Sequence, residues 1–194
     1  FAFCFYDNLR NQIIISRDRV GEKPLYLYFN KNYLSFSSEL KSFKKLPDFK
    51  KKICNESINN YFFLNYIPSP QSIYLNTFKL PQSTYMSIDL NKFEFKNKDK
   101  FNELINDNYL RINKYWDTYN IKESQISFTK AIETTEKLLY NSIEEKLISD
   151  VPVCTFLSGG VDSSLIASLL SKIDKKIDTF TVQFNDEEYD ESTN

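Results

Sequence analysis

Val153-Cys154-Thr155-Phe156-Leu157-Ser158-Gly159-Gly160-Val161-Asp162-Ser163-Ser164 is the stretch that decides the fold of the second half of this 194-residue chain. The apolar run Val151–Leu157 ahead of the glycines has the length of a buried strand. After the glycines, apolar residues recur every three or four positions, as on one face of a helix: Val161, Leu165, Ile166, Leu169, Leu170 and Ile173. A second apolar run, Ile177–Phe184, predicts another strand. The stretch therefore predicts a strand, a tight glycine turn, a helix and a further strand.

A glycine turn between a strand and a helix is suited to bind a phosphate group. The turn directs unpaired backbone N–H groups and the positive end of the helix dipole toward one point. Gly159 and Gly160 let the backbone approach an anion closely. The hydroxyls of Ser158, Ser163 and Ser164 add further donors. These residue types in this order favour an anion site at the turn.

Asp162 is unexpected in such a turn, because a carboxylate repels phosphate unless a divalent cation lies between them. Mg²⁺ prefers oxygen ligands and is the cation that this arrangement favours. The turn lacks the lysine of a Walker A motif, which argues against kinases and GTPases of that class. A strand–glycine–helix turn can also be purely structural, but the complete string Ser158–Ser163 favours a nucleotide site.

The string Ser158–Ser163 resembles the pyrophosphate loop of the ATP pyrophosphatases, which cleave ATP between the α and β phosphates and activate a substrate as its adenylate. This resemblance implies that Asp162 is a Mg²⁺ ligand and that five residues contact ATP or its pyrophosphate: Ser158, Gly159, Gly160, Asp162 and Ser163. Leu157 and Val182 take the family's positions beside the base and ribose, although a place in the core explains both equally well. Asparagine, argininosuccinate, GMP and NAD synthetases and tRNA-thiolating enzymes all share the loop, so the loop alone does not choose among them.

The first forty residues predict short antiparallel strands, and they carry a more specific resemblance. The charged run Arg17–Lys23 would ordinarily be a solvated loop. However, the strings Arg17–Tyr26 and Phe36–Lys41, together with the strand Phe1–Asp7, resemble the later part of the glutaminase domain of glutamine-hydrolysing asparagine synthetases. Tyr115-Trp116-Asp117 matches that family again, with Trp116 expected as a packing anchor.

The resemblance implies an α+β domain followed by an α/β domain. Residues 1–95 are expected to be the C-terminal part of a glutaminase sandwich of the Ntn-hydrolase type, and the polar residues 96–125 a linker. Residues 126–194 are expected to begin a Rossmann-like, parallel-sheet ATP-pyrophosphatase domain. Helices are predicted over Asn55–Asn65, with Ile58, Phe62 and Phe63 facing inward, and over residues 128–148.

The reaction implied by the resemblance joins two half-sites. Glutamine is hydrolysed to glutamate and ammonia at the first. At the second, ATP and Mg²⁺ convert the side-chain carboxylate of aspartate to an adenylate, which ammonia attacks to give asparagine, AMP and pyrophosphate. The implied partners are these small molecules, with a homodimer left open. The 194 residues taken alone resemble a fragment that spans the domain junction, and we expect them to catalyse neither half-reaction.

No glutaminase catalytic residue is assigned, because the family's nucleophile is a cysteine at the mature N-terminus, upstream of Phe1. Cys4, Cys54 and Cys154 are widely separated and form no zinc or disulfide pattern. We expect all three to be small buried hydrophobic residues.

A net charge of −1 and the lack of a long block of like charge argue against a nucleic-acid or membrane partner. No apolar run has the length of a membrane span, so a cytoplasmic location is expected. Three functions stay open: an asparagine synthetase, a related amidotransferase or β-lactam-forming synthetase with the same domain plan, and an inactive truncated remnant. The residues that bind the acceptor substrate would distinguish the first two, and they are expected beyond Asn194.

Overall fold

The computed structural model describes residues 1–94, 101, 103, 108–173 and 177–184, and the chain divides into two compact units, Phe1–Ile121 and Lys122–Asn194. Both helices and strands occur in each unit. The strands of the first unit are β1 Ala2–Asp7, β2 Gln12–Arg17, β3 Tyr26–Phe29, β4 Leu34–Ser37, β5 Thr77–Lys79, β6 Thr84–Asp89 and β7 Leu110–Lys114. Its helices are α1 Leu40–Phe43 and α2 Asn55–Leu64, with a 3₁₀ turn at Thr118–Asn120. The second unit contains α3 Phe128–Lys146, β8 Cys154–Phe156, α4 Val161–Ile173 and β9 Asp178–Phe180.

Two antiparallel sheets form the first unit, with strand orders β1-β2-β6-β7 and β4-β3-β5. Both sheets supply side chains to a single core, in which Ile15 of β2, Leu27 of β3 and Met86 of β6 are completely buried. The register places Ile15 opposite Met86, so adjacent strands bury the same face. The antiparallel pairing predicted for the first forty residues is confirmed.

Strand β7 lies inside residues 96–125, the range that the sequence predicts as a linker. It pairs with β6 in antiparallel register, and Leu110 at its start is buried in the core. Part of this polar segment therefore belongs to the first sheet. Trp116 follows β7 and is half-buried. The Arg19 guanidinium lies 5.9 Å from the centroid of its ring, as expected of a packing anchor.

The charged run Arg17–Lys23 forms an ordered corner rather than a solvated loop. Asp18 is only 8% exposed, and its carboxylate accepts hydrogen bonds from the backbone N–H groups of residues 20, 22 and 23 at 2.9–3.1 Å. The Arg17 guanidinium donates to the backbone carbonyls of residues 21, 23 and 80. Gly21 has a φ of +73°, and a Cβ there would lie 3.0 Å from Arg17 Nη2. The corner therefore depends on the Arg17 guanidinium, the Asp18 carboxylate and the glycine at position 21.

Replacing Asp18 with asparagine is expected to lower the free energy of unfolding by about 1–3 kcal/mol at pH 7, since backbone donors lose a charged acceptor. Burial alone would raise the pKa of Asp18, but the hydrogen bonds that its carboxylate accepts from the N–H groups of Lys23 and Glu22 lower that pKa below its usual range. Because the folded pKa is depressed, this stabilisation is fully present above the unfolded pKa of about 4 and is lost as the pH falls below it.

Denaturant unfolding of the intact protein between pH 2 and pH 8 measures this effect, with the exposed Asp150→Asn as the charge-matched control. The difference in unfolding free energy between the parent protein and Asp18→Asn should shrink below pH 4. A difference that does not change with pH would contradict the role assigned to the ionised carboxylate.

Several predictions of burial are wrong. On α2, Phe62 is 78% exposed and Phe63 is 87% exposed, although Ile58 is half-buried as expected. Ser57 is the buried residue of that helix instead, and its hydroxyl donates to the Ser72 carbonyl at 2.7 Å. The packed face of α2 is therefore a polar, hydrogen-bonded face, rotated away from the one that its aromatic residues suggest.

The cysteines also differ from the prediction. Cys4 and Cys154 are exposed, and Cys54 is half-buried. Cys4 lies on β1, which pairs with β2 alone among the described strands, and Cys154 lies on β8, which pairs with β9 alone. A strand at the edge of a described sheet has fewer neighbours to cover its side chains, so the small apolar character of cysteine does not decide its burial here.

The second unit shows the predicted succession of strand, turn, helix and strand. β8 and β9 pair in parallel, and α4 connects them as a crossover helix. The core of the unit comprises Ile143 of α3 with Leu169 and Leu170 of α4. Within the described ranges, no helix combines the length and apolar character needed to cross a membrane.

The burial predicted for this unit is only partly observed. The run Val151–Leu157 was expected to be a buried strand, yet the strand is limited to residues 154–156 and Phe156 is 73% exposed. Val161 and Leu165 of the predicted apolar face are also exposed. A parallel strand is buried only when both faces of its sheet are covered, and the described part of this sheet contains two strands.

Candidate functional site

The candidate loop begins where the two parallel strands end. The Leu157 N–H donates to the Phe180 carbonyl at 2.9 Å, and the Thr181 hydroxyl donates to the Leu157 carbonyl at 2.7 Å. These bonds hold the start of the loop against the chain that follows β9. The carboxyl ends of parallel strands are the usual location of ligand sites in open α/β sheets. Thr181 was not predicted from the sequence, because the predicted strand ran on to Phe184, whereas β9 ends at Phe180 and leaves Thr181 directly after it.

The two glycines of the loop have different structural requirements. Gly159 has a φ of +78°, a conformation that glycine adopts without strain. Gly160 has no such φ, and its carbonyl accepts the Ser164 N–H at 3.0 Å at the start of α4. A Cβ on Gly160 would meet only the Ser158 and Ser163 hydroxyl oxygens, at 3.6 and 4.0 Å, which are ordinary contact distances. The described residues therefore explain a glycine at position 159 but not at position 160, where the space beside the backbone is open and could admit a ligand.

Ser163 closes the loop on itself. Its Oγ accepts the Ser158 N–H at 3.2 Å and donates to the Gly160 carbonyl at 3.0 Å. The Ser158 and Ser163 hydroxyl oxygens lie 3.1 Å apart. The sequence predicted both hydroxyls as phosphate donors, but the Ser163 hydroxyl is occupied within the loop. Its position fixes the shape of the turn around the first N–H groups of α4.

The remaining predicted site residues surround this turn. Asp162 lies in the first turn of α4 and is exposed, as an acidic residue at a helix N-terminus can be without cost. Leu157 is half-buried, and Val182, two residues past β9, is 59% exposed. The loop thus brings Leu157, Ser158, Gly160 and Ser163 together, whereas no hydrogen bond within the described part of the chain joins Val182 to them.

The geometry fits a phosphate group better than a metal ion alone. At the start of a 13-residue helix, the N–H groups before that of Ser164 have no acceptor within the helix, and Gly160, directly before the helix, has no side chain. No group of three or more His, Cys, Asp or Glu side chains that could hold a metal occurs among the described residues. Asp162 is therefore a single carboxylate, able to share a cation with phosphate oxygens.

Comparison with known protein families identifies the class in two parts. A family model described as a glutamine amidotransferase domain matches residues 1–101, which is the part that contains the ordered Arg17–Lys23 corner. A second model, described as asparagine synthase, matches residues 134–194, which contain the glycine loop. The chain belongs to the family of glutamine-hydrolysing asparagine synthetases, as its sequence resemblance implied.

Individual relatives agree with this assignment. A putative glutamine-hydrolysing asparagine synthetase 2 of Methanocaldococcus jannaschii is 38% identical over 196 residues, which cover 99% of this chain and 35% of the relative. The glutamine-hydrolysing asparagine synthetase 3 of Bacillus subtilis is 29% identical over 170 residues, covering 87% of this chain and 25% of the relative. Amidase chry2 of Gibberella zeae is 26% identical over 183 residues, covering 91% and 24%. The chain thus spans about a third or less of the length of these relatives.

Proposed function

We propose that the protein carrying this chain is an ATP-dependent asparagine synthetase that transfers glutamine-derived ammonia to aspartate. The observation that carries the proposal is the glycine loop, whose residue 160 has no structural need to be glycine within the described chain. The first part of the chain matches an amidotransferase domain and the last part matches an asparagine synthase, which supports the pairing of the two half-reactions in one protein. We propose a cytoplasmic location, since all the substrates are small soluble molecules.

The proposed chemistry balances in two steps. A side-chain carboxylate oxygen of aspartate attacks the α phosphorus of ATP, forming a P–O bond while the bond to pyrophosphate breaks. Ammonia from glutamine then attacks the activated carbonyl carbon, and AMP leaves with the oxygen that came from aspartate. One proton is released from the attacking ammonia. The loop acts in the first step, where negative charge accumulates on the departing pyrophosphate.

Each loop residue has a role in this proposal. The backbone at Gly159 and Gly160 approaches the phosphates, the Ser158 hydroxyl donates to them, and Ser163 positions the turn through its bond to the Gly160 carbonyl at 3.0 Å. Asp162 would hold Mg²⁺, which when bound neutralises charge on the phosphate oxygens. Leu157 and Val182, at the ends of the two parallel strands, would flank the base and ribose.

We also propose finer identities for the two units. The two-sheet unit would be part of an Ntn-hydrolase-type glutaminase sandwich, and its shared core of both sheets supports this. The β8–α4–β9 unit would begin a Rossmann-like ATP-pyrophosphatase domain, which its parallel pairing supports. The division into 1–95, a linker 96–125 and 126–194 is proposed with β7 contributing to the first sheet.

A second candidate function has its own support. Amidase chry2 matches 91% of the chain, so an amidotransferase of the same domain plan with another acceptor also fits. This candidate shares the loop chemistry and differs in the molecule that is adenylated.

The test of the proposed function uses the intact protein with ATP, Mg²⁺, aspartate and glutamine labelled with ¹⁵N at its amide. We expect ¹⁵N in the side-chain amide of asparagine, with one AMP and one pyrophosphate for each asparagine formed. AMP release that does not depend on aspartate would favour the second candidate. Glutamate release without any AMP would contradict both.

A further inference from the structure

The pairing of β8 with β9 changes from backbone to side-chain bonding where the glycine loop begins. Phe156 lies opposite Phe180, and the Leu157 N–H donates to the Phe180 carbonyl at 2.9 Å, which continues the ladder past β8. In a regular parallel ladder, the Leu157 carbonyl would next accept the N–H of Val182. That bond does not occur between these two described residues, and the carbonyl accepts the Thr181 hydroxyl instead, at 2.7 Å. A side chain therefore takes the place of a backbone donor at the start of the loop.

The Thr181 bond fixes one side of a peptide plane whose other side is also held. The Leu157 carbonyl and the Ser158 N–H belong to the same trans peptide, so they point in opposite directions. On the other side of the plane, the Ser158 N–H donates to Ser163 Oγ at 3.2 Å. One hydroxyl comes from the chain directly after β9 and the other from the first turn of α4. Together they fix the rotation of the peptide that leads into the glycines.

These bonds form a single directed chain across the loop. The Thr181 hydroxyl donates to the Leu157–Ser158 peptide, the N–H of that peptide donates to Ser163, and the Ser163 hydroxyl donates to the Gly160 carbonyl at 3.0 Å. Since every donor points the same way along the chain, each bond polarises the next. The Gly160 carbonyl is also the acceptor for the N–H of residue 164, at the start of α4. The chain of bonds thus runs from the end of β9 to the backbone that is proposed to meet the phosphates.

The exposure of Thr181 separates an effect on ligand geometry from an effect on folding. Thr181 is exposed, so water competes for both partners of its hydrogen bond, and the bond contributes little to the stability of the unit. The same bond sets the direction of a peptide, and small errors in direction weaken the binding of a ligand that needs several donors at once. Loss of the hydroxyl is therefore expected to affect binding more than folding.

We infer that Thr181 is a positioning residue for the glycine loop, and that its hydroxyl sets the direction of the backbone donors that bind the phosphates of ATP. Thr181 acts through the Leu157–Ser158 peptide and does not itself contact the nucleotide, because its one proton is already donated to the Leu157 carbonyl. The inference rests on the proposed ATP site and adds a residue that lies outside the loop.

The test titrates the intact protein calorimetrically with a non-hydrolysable ATP analogue and, separately, with pyrophosphate, both in the presence of Mg²⁺. Thr181→Val keeps the branched shape and removes the hydroxyl, whereas Thr181→Ser keeps the hydroxyl. Thr179→Val is the matched control, because Thr179 is exposed on β9 and its hydroxyl makes no hydrogen bond within the described part of the chain. We expect a Kd about fivefold to tenfold weaker for both ligands in Thr181→Val, and within about twofold of the parent in the other two variants. The two valine variants should have similar Tm values, since neither position is buried.

Each of the other results overturns the inference for a different reason. Unchanged affinity in Thr181→Val would show that the hydroxyl does not position the loop, while the ATP site itself would stand because the parent protein binds. An equal loss in Thr181→Ser or in Thr179→Val would trace the effect to side-chain shape or to β9 as a whole. A loss for the ATP analogue without a loss for pyrophosphate would place the effect at the base and ribose. A parent protein that binds neither ligand would contradict the proposed function, and the inference with it.

Discussion

Replacing Asp162 with alanine is expected to reduce ATP-dependent asparagine formation at least about a hundredfold, because the proposed Mg²⁺ ligand and its charge neutralisation are lost. Asp162 is exposed in the first turn of α4, so its removal leaves no buried group without a partner. The expected effect on folding is limited to the loss of a favourable helix-dipole interaction, about 0.3–1 kcal/mol. Glutamine hydrolysis should stay within about twofold of the parent rate, since it is proposed to occur in the other unit.

The measurement compares asparagine formed from ammonium and ATP with glutamate released from glutamine, in the same preparation of the intact protein. Asp150→Ala is the matched control, because Asp150 is also exposed and lies eleven residues before the start of α4 at Val161. The control should keep both activities. Near-parental synthesis by Asp162→Ala would show that this carboxylate holds no metal needed for the reaction.

Replacing Gly160 with valine is expected to weaken ATP binding at least about a hundredfold while the protein stays folded. A Cβ at this position meets protein atoms no closer than 3.6 Å, so the space it fills is open within the chain. In the proposed complex, that space is where the backbone and the phosphates meet. A branched side chain would hold them apart and block the helix N–H groups from the anion.

Calorimetric titration with a non-hydrolysable ATP analogue measures the affinity, and thermal unfolding checks the fold. Ser168→Val places the same side chain on the exposed face of α4 and controls for the effect of valine on the helix. Unchanged affinity in a folded Gly160→Val protein would mean that the phosphates bind elsewhere. Gly159→Ala should behave differently, with lower stability as well, because Gly159 has a positive φ.

The sequence predicted the loop well because its signals are local. Apolar spacing predicted α4, and the glycine pair marked the turn between β8 and that helix. The positive φ falls on a glycine, where the backbone requires no compensation. Each of these features depends on residues that are close together in the sequence, so no distant contact had to be known.

Burial was predicted less well because it depends on residues far away in the chain. The apolar pattern of α2 suggested an inward face with Phe62 and Phe63. The buried residue is instead Ser57, whose hydroxyl donates to the Ser72 carbonyl, and both phenylalanines are exposed. Similarly, the exposed Cys4 lies on a strand with one described neighbour. Strand number and sheet position are tertiary properties, and side-chain type alone does not reveal them.

Strand β7 illustrates a further limit. Leu110 and Ile112 alternate with polar residues, which is a strand signal, but the surrounding Asn, Lys and Asp obscured it.

The most direct test of the proposed reaction follows the oxygen atoms of aspartate. The intact protein is supplied with aspartate carrying ¹⁸O in its side-chain carboxylate, with ATP, Mg²⁺ and glutamine, and the released AMP and pyrophosphate are analysed by mass spectrometry. Attack of the carboxylate on the α phosphorus predicts one ¹⁸O in each AMP and none in pyrophosphate. The label should disappear together with asparagine in Asp162→Ala. AMP without ¹⁸O, formed while asparagine accumulates, would contradict the adenylate chemistry proposed for this loop.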